Sequence, residues 1–235
     1  MRNLKTFLFT TLLLFVLTVS KAQHVKVFDI GWNGAHFFQP LSNLEIPLYQ
    51  FNQNNPGMAK SYSLPDIFQG LYLDYRYGSS KAGVIISWSN KHGIAKAEGV
   101  ASGNGETEYS LRRIKTRLNM FSYGFYFSLH KRIKMGITID MGTFKVLKKI
   151  APKAEYSTAK WEKYYDTKGT GAYGITANIS FPIPLSEGFQ IRFQPYAQLL
   201  FLPKKFTFTS GTISNKYYYN PSNFGITAFF SFISH

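Results

Sequence analysis

From Val25 to the end of the chain, apolar side chains return at every second position in one segment after another. A period of two is the period of a strand, because residues i and i+2 share a face. The last segment, NFGITAFFSFISH, places Phe224, Ile226, Ala228, Phe230 and Phe232 on one face. Gly225, Thr227, Phe229 and Ser231 fall on the other. A soluble sandwich or lipocalin-like barrel also alternates, but it turns its apolar face inward and shows a charged face to water. Here the second face is mostly small and polar, which suits the interior of a barrel whose outer wall meets lipid.

Seven further segments read the same way. They lie near residues 25–37, 67–78, 84–89, 108–129, 133–142, 173–181 and 189–201. In the second, Leu71, Leu73, Tyr75 and Tyr77 oppose Gly70, Tyr72, Asp74 and Arg76. In the fourth, Phe121, Tyr123, Phe125 and Phe127 oppose Ser122, Gly124, Tyr126 and Ser128, and the phase runs back through Arg117, Lys115 and Arg113. Each of the eight is read as long enough to cross a bilayer at a tilt, which takes about 9–11 residues. Connections alternate between short (78–81, 130–132, 182–188) and long (38–66, 90–107, 146–170, 202–222). The expected fold is therefore all-β: an eight-stranded antiparallel transmembrane β-barrel with long extracellular loops. An even strand count puts both termini in the periplasm. Closure leaves no strand edge without hydrogen bonds inside the membrane. Pro195 sits mid-strand without a backbone donor, so a bulge or weak point is expected there.

The first 22 residues have another character. Arg2 and Lys5 precede an apolar run from Phe7 to Val19, and Ser20-Lys21-Ala22 follows. This is the pattern of a removed secretory signal, giving a leader at 1–22 and a barrel domain at 23–235. Cysteine is absent, so an exported fold must hold without disulfides. The chain has 22 Phe and 16 Tyr but only 17% charged residues. Lys and Arg total 27 against 12 Asp and Glu, a balance that suits anionic partners.

The inward faces carry Asp29, Asp74, Arg76, Lys134, Asp140 and Arg192. Three acids and three bases balance, and the first two strands are neighbours, so Asp29 can approach Arg76. Paired charges filling a narrow lumen make a plug; the alternative is a conduction path. Ser128 and His130 share a face at the end of the fourth strand and are the nearest approach to a lipid-modifying catalytic pair. An interior serine and an interfacial histidine account for them more simply. No catalytic residues, metal ligands or cofactor are expected, and no nucleic acid.

The loops hold the strongest binding signal. Region 146–170 carries Lys148, Lys149, Lys153, Lys160, Lys163 and Lys168, with Tyr156, Trp161, Tyr164 and Tyr165 among them. Lys204, Lys205 and Lys216 lie in the next loop, beside Tyr217, Tyr218 and Tyr219. At a cell surface, such residues suit lipopolysaccharide phosphate, an acidic glycan or an acidic protein. The core expectation is Lys148, Lys149, Lys153, Lys160, Trp161, Lys163, Tyr164 and Tyr165 as a partner-binding loop.

The SKAQ ending of the leader, the hairpin FSYGFYFSLHKRIKMGITIDMG and the FFSF-containing last strand resemble the small outer-membrane β-barrel proteins of Bacteroidota, including the PorT-like group. The resemblance implies an outer-membrane location and insertion by barrel-assembly machinery, with Phe230 and Phe232 as the terminal aromatic signal. It also implies a role beside secretion or scaffolding components of the envelope. The function expected is a non-enzymatic barrel that docks another envelope component through its basic aromatic loops. A small channel and an outer-membrane lipid-modifying enzyme are the alternatives.

Overall fold

The structure, a computed structural model, describes residues 25–37, 42–63, 67–101, 108–130, 132–164, 170–202, 206–210, 213–217 and 221–234. The leader at 1–22 lies outside them, as do Lys131, Tyr165 and Lys168 and the side chains of Lys204, Lys205, Lys216 and Tyr217–Tyr219. The elements are β1 Val25–Phe37, α1 Ser42–Asn54, β2 Phe68–Gly78, β3 Ala82–Gly99, β4 Ser110–His130 and β5 Ile133–Pro152. There follow β6 Glu162–Lys163, β7 Thr170–Ser186, β8 Phe189–Phe201, β9 Phe206–Ser210, β10 Ile213–Tyr217 and β11 Asn223–Ser234.

Eight strands close a ring in the order β1-β2-β3-β4-β5-β7-β8-β11, and β11 pairs back to β1. Every pairing is antiparallel. Pairing from Trp32 through β2, β3, β4 and β5 reaches Gly171 on β7. Pairing the other way, through β11 and β8, reaches Phe181 on the same strand, ten residues away. That stagger tilts the strands, and closed barrels usually tilt by roughly 35–45°.

The outer wall is apolar all round. Phe28, Ile30 and Trp32 on β1, Phe121 and Tyr123 on β4, Ile137 and Ile139 on β5, and Phe224, Ile226, Phe230 and Phe232 on β11 are exposed. Their alternating neighbours Asp29, Ser122, Thr138, Asp140, Thr227 and Ser231 are buried. Exposure of every second large apolar residue would be costly in water and is favourable in a bilayer. Among the described residues no helix is long and apolar enough to cross a membrane; the crossing is made by strands.

Some lumen glycines make room for a partner across the ladder. Gly31 pairs with Phe229, whose ring lies over it; a Cβ on Gly31 would stand 2.2 Å from the Ala228 carbonyl oxygen and 2.7 Å from that ring. The β2–β3 turn begins at Gly78, whose φ of 154° falls where side chains are rare.

Several expected boundaries shift, and two expected loops contain elements of their own. β3 runs to Gly99 and β5 to Pro152, well into regions read as loops. The cause is β4. It extends from Ser110, and its backbone groups need partners on both sides along that whole length. Above the apolar wall the outward residues turn basic, so the apolar alternation fades while the ladder continues. Lys148 and Lys149 therefore stand on a strand, not in a loop. Region 38–66 contains α1, and region 202–222 contains the separate β9–β10 hairpin. Turn 182–188 shortens because β7 reaches Ser186, with an irregularity between Pro184 and Ser186. At Pro195 there is no bulge. The β7–β8 ladder passes from Asn178–Tyr196 to Phe181–Phe193 in constant register and omits the two pairs between. This is a weak point of the kind a missing donor produces.

Candidate functional site

The lumen has two layers. Nearer the short turns, it is polar and charged. Arg192 of β8 reaches Asp29 of β1 at 2.6 Å and Asp74 of β2 at 2.7 Å through the same Nη2. Arg76 Nε donates to Asp74 at 2.9 Å and lies 4.0 Å from Asp29. Gln194 accepts from both guanidinium groups: Arg76 Nη2 at 2.6 Å, and Arg192 Nη1. All four charged residues are at most 3% exposed. Two acids and two bases thus neutralise one another where an isolated charge would be costly. Strand alternation aims the four side chains inward, and barrel closure brings β8 within reach of β1 and β2.

Lys134 and Asp140 do not join this quartet through hydrogen bonds. Lys134 is half-buried with its Nζ 5.2 Å from the Tyr126 ring centre. Asp140 accepts from Thr138 at 2.9 Å, Thr176 at 2.5 Å and Gln198 at 2.9 Å. A residue assigned by sequence to a loop completes this second group. Lys91 is 2% exposed, and its Nζ donates to Gln198 and Asn223, both at 2.9 Å, and to Tyr196 at 3.2 Å. Its even spacing from Ser87 and Ser89 was the available signal. Tyr196 in turn donates to Asn33 at 2.8 Å.

Toward the long connections, the lumen becomes an apolar core. Ala35, Phe68, Ala95, Ile114, Leu118, Met120, Phe144, Val146 and Leu200 fill it. Leu48 and Phe51 of α1 pack onto this core from above, with Met58 and Tyr62 of the chain that follows. Asn52 locks the cap. Its amide donates to the Tyr62 carbonyl and its oxygen accepts from the Tyr62 N–H, each at 2.9 Å. Lys60 and Glu98 exchange backbone hydrogen bonds at 2.9 and 2.8 Å, tying the cap to β3. The inner face was expected to be mostly small and polar; its outer half is instead largely apolar, with Arg112 and Thr116 buried among the apolar side chains, because it lies under a folded lid rather than beside water.

The rim beyond the lid holds the basic and aromatic side chains. Lys148 faces Glu162 of β6 at 3.9 Å, both substantially exposed. Tyr156 lies between two cations, 4.4 Å from Lys149 Nζ and 5.0 Å from the Arg113 guanidinium. Trp161 lies 5.8 Å from Lys115 Nζ. Lys153, Lys160, Trp161 and Lys163 are exposed. Tyr164 instead packs against the core, its N–H bonds the Val146 carbonyl at 3.0 Å, and burial pushes its phenol up to about 12. It anchors the segment rather than offering a contact.

Phe230 and Phe232 stand on the lipid face beside Phe189, with ring centres 6.1 and 5.6 Å away. Ser128 Oγ donates to the His130 backbone oxygen at 3.4 Å, and His130 Nδ1 accepts from the Arg132 N–H at 3.5 Å. Each of the two side chains is turned to the backbone rather than to the other.

No protein-family model matches the chain, and no curated protein sequence matches it. Solved structures do. The outer membrane protein OprG from Pseudomonas aeruginosa superimposes with a TM-score of 0.53 at 10% identity, over 91% of this chain and 97% of that one. Ail, the attachment invasion locus protein of Yersinia pestis, solved in complex with the heparin analogue sucrose octasulfate, gives 0.46 at 12% identity, over 90% and 99%. The outer membrane protease OmpT from Escherichia coli gives 0.33 at 7%, over 91% and 96%. At such identities only the OprG match carries weight, and it bears on fold alone. Ring, apolar wall and filled lumen together define the class: the chain folds as an eight-stranded outer-membrane β-barrel.

Proposed function

We propose that this protein is a sealed, non-enzymatic outer-membrane barrel that docks another envelope component at its loop-end rim. In this reading the loop end faces outward and both termini face the periplasm. The chain is a member of the small Bacteroidota barrels, PorT-like group included, and is inserted by barrel-assembly machinery. The observation that carries the proposal is the filling of the lumen. Arg192 bridges Asp29 and Asp74 across one layer, and the α1 lid closes over a packed apolar layer above it. A barrel so filled works through its surface. On that surface, Lys153, Lys160, Trp161 and Lys163 stand exposed on one segment braced by Tyr164 and Tyr156. Exposed cations around an aromatic anchor suit an acidic protein surface.

The test is co-purification from native membranes in mild detergent. Wild type brings down a defined envelope protein. Lys153→Gln/Lys160→Gln/Lys163→Gln weakens that recovery, and raised salt weakens wild-type recovery and narrows the difference, because exposed charges are screened over about 10 Å at 0.1 M. Trp161→Ala weakens it at any salt, since it removes apolar contact. Full recovery with both variants would place the contact elsewhere.

A further inference from the structure

On β3, β4 and β5 the outward face continues for several rows past the apolar wall. The last apolar row is Trp88–Phe121–Met141, and an amide row, Asn90–Asn119–Thr143, follows. Next come His92–Arg117–Lys145, then Ile94–Lys115–Leu147, then Lys96–Arg113–Lys149. Directly opposed residues on neighbouring strands have Cβ atoms about 5 Å apart, and like charges so placed repel. Two of these three rows nonetheless set cationic types in register across three strands. Among the described residues, no ion pair joins His92, Lys96, Lys115, Arg117 or Lys145 to a carboxylate. Arg117 Nε donates to Asn119 Oδ1 at 3.1 Å, which holds the guanidinium down against the amide row.

The height of these rows indicates what they meet. Two residues above the amide row, at about 3.4 Å each along a strand tilted by about 40°, is about 5 Å further from the hydrocarbon. The polar zone of a bilayer leaflet is about 5–8 Å deep. The Arg117 row therefore lies at headgroup level on the wall that faces lipid. Arg113 and Lys149, one row above Lys115, are engaged by Tyr156 and belong to the rim.

We propose that Arg117 and Lys145, with Lys115 one row above them and His92 at their flank, form a lateral binding site for the phosphate groups of an outer-leaflet glycolipid. A guanidinium fork and ammonium point charges are the usual partners of phosphate oxygens. An anion seated among them removes the cross-strand repulsion. The site requires the loop end to face outward; it shares no residue with Lys153, Lys160, Trp161 or Lys163 and meets the docking segment where Lys115 lies 5.8 Å from the Trp161 ring, so the deciding variant is placed at Arg117 and Lys145.

The experiment titrates purified full-length protein in detergent micelles with bisphosphorylated lipid A and with the same lipid stripped of phosphate, read by native mass spectrometry. Wild type binds the phosphorylated form at least about tenfold more tightly. Arg117→Gln/Lys145→Gln loses that preference. Lys26→Gln/Lys81→Gln, which removes two cations from the turn end, keeps it. Heat-modifiable migration on gels confirms that each variant is folded. If Arg117→Gln/Lys145→Gln does not fold, Lys145→Gln alone and the two-lipid comparison on wild type decide. Equal binding of both lipids by wild type overturns the proposal, as does an unchanged preference in the folded variant. Full displacement of lipid A by millimolar inorganic phosphate would make this a free-anion site and would also overturn the lipid assignment.

Discussion

Arg192 and Asp29 meet at 2.6 Å although their strands are not neighbours, since β11 lies between β8 and β1. The contact spans β11 on the lumen side and fixes the spacing of three strands. Removing one partner of a buried pair leaves an uncompensated charge, at a cost of about 3–5 kcal/mol. Arg192→Met should therefore lower the unfolding temperature in micelles sharply. Arg192→Met/Asp29→Asn should recover part of the loss, because Arg76 and Asp74 still balance. A double variant no more stable than the single one would show that the loss does not come from leaving Asp29 unpaired.

Gly31→Ala should destabilise the barrel through contact rather than charge. Its Cβ would stand 2.2 Å from a backbone oxygen, which cannot move aside as a flexible side chain could. Gly57→Ala is the comparison, because a Cβ there meets nothing within 4 Å. Denaturant midpoints of the two variants measure the difference, with Gly31→Ala well below wild type and Gly57→Ala near it.

Phe230→Ser/Phe232→Ser should prevent insertion. Both rings are about half exposed on the lipid face, where apolar area is what holds the strand in the bilayer. Outer-membrane fractionation and surface labelling report the outcome. Normal surface levels would show that this strand end neither anchors nor signals.

Purified wild type in planar bilayers should show no steady open pore. Replacing residues 42–54 with a short flexible linker should leave it closed, because the Asp29–Asp74–Arg76–Arg192 layer lies below the lid and is independent of it. A stable large conductance in wild type would favour a channel.

Most of the barrel was legible because lipid on one side and a narrow interior on the other force alternation onto the strands. Phe224 to Phe232 shows this with little ambiguity. The pairing of Asp29 with Arg76 followed from adjacency of the first two strands, but the reach of Arg192 follows only from closure. The tops of β3 and β5 were missed because they leave the bilayer, where outward residues such as Lys96 and Lys145 no longer need to be apolar. Lys91 was lost with them, and its burial depends on Gln198 and Asn223, both remote in sequence. The α1 lid was illegible for another reason. A short helix of low amphipathicity gains its place from the apolar mouth beneath it, and that mouth exists only after the ring has closed.

Docking at the rim is tested most directly by photocrosslinking in intact cells. A photoreactive residue placed at Trp161 on the rim is compared with one at Ile139 on the lipid wall. Docking at the rim predicts one discrete protein adduct from position 161 and no protein adduct from position 139. No adduct from position 161, or a discrete protein adduct from position 139 alone, would contradict it.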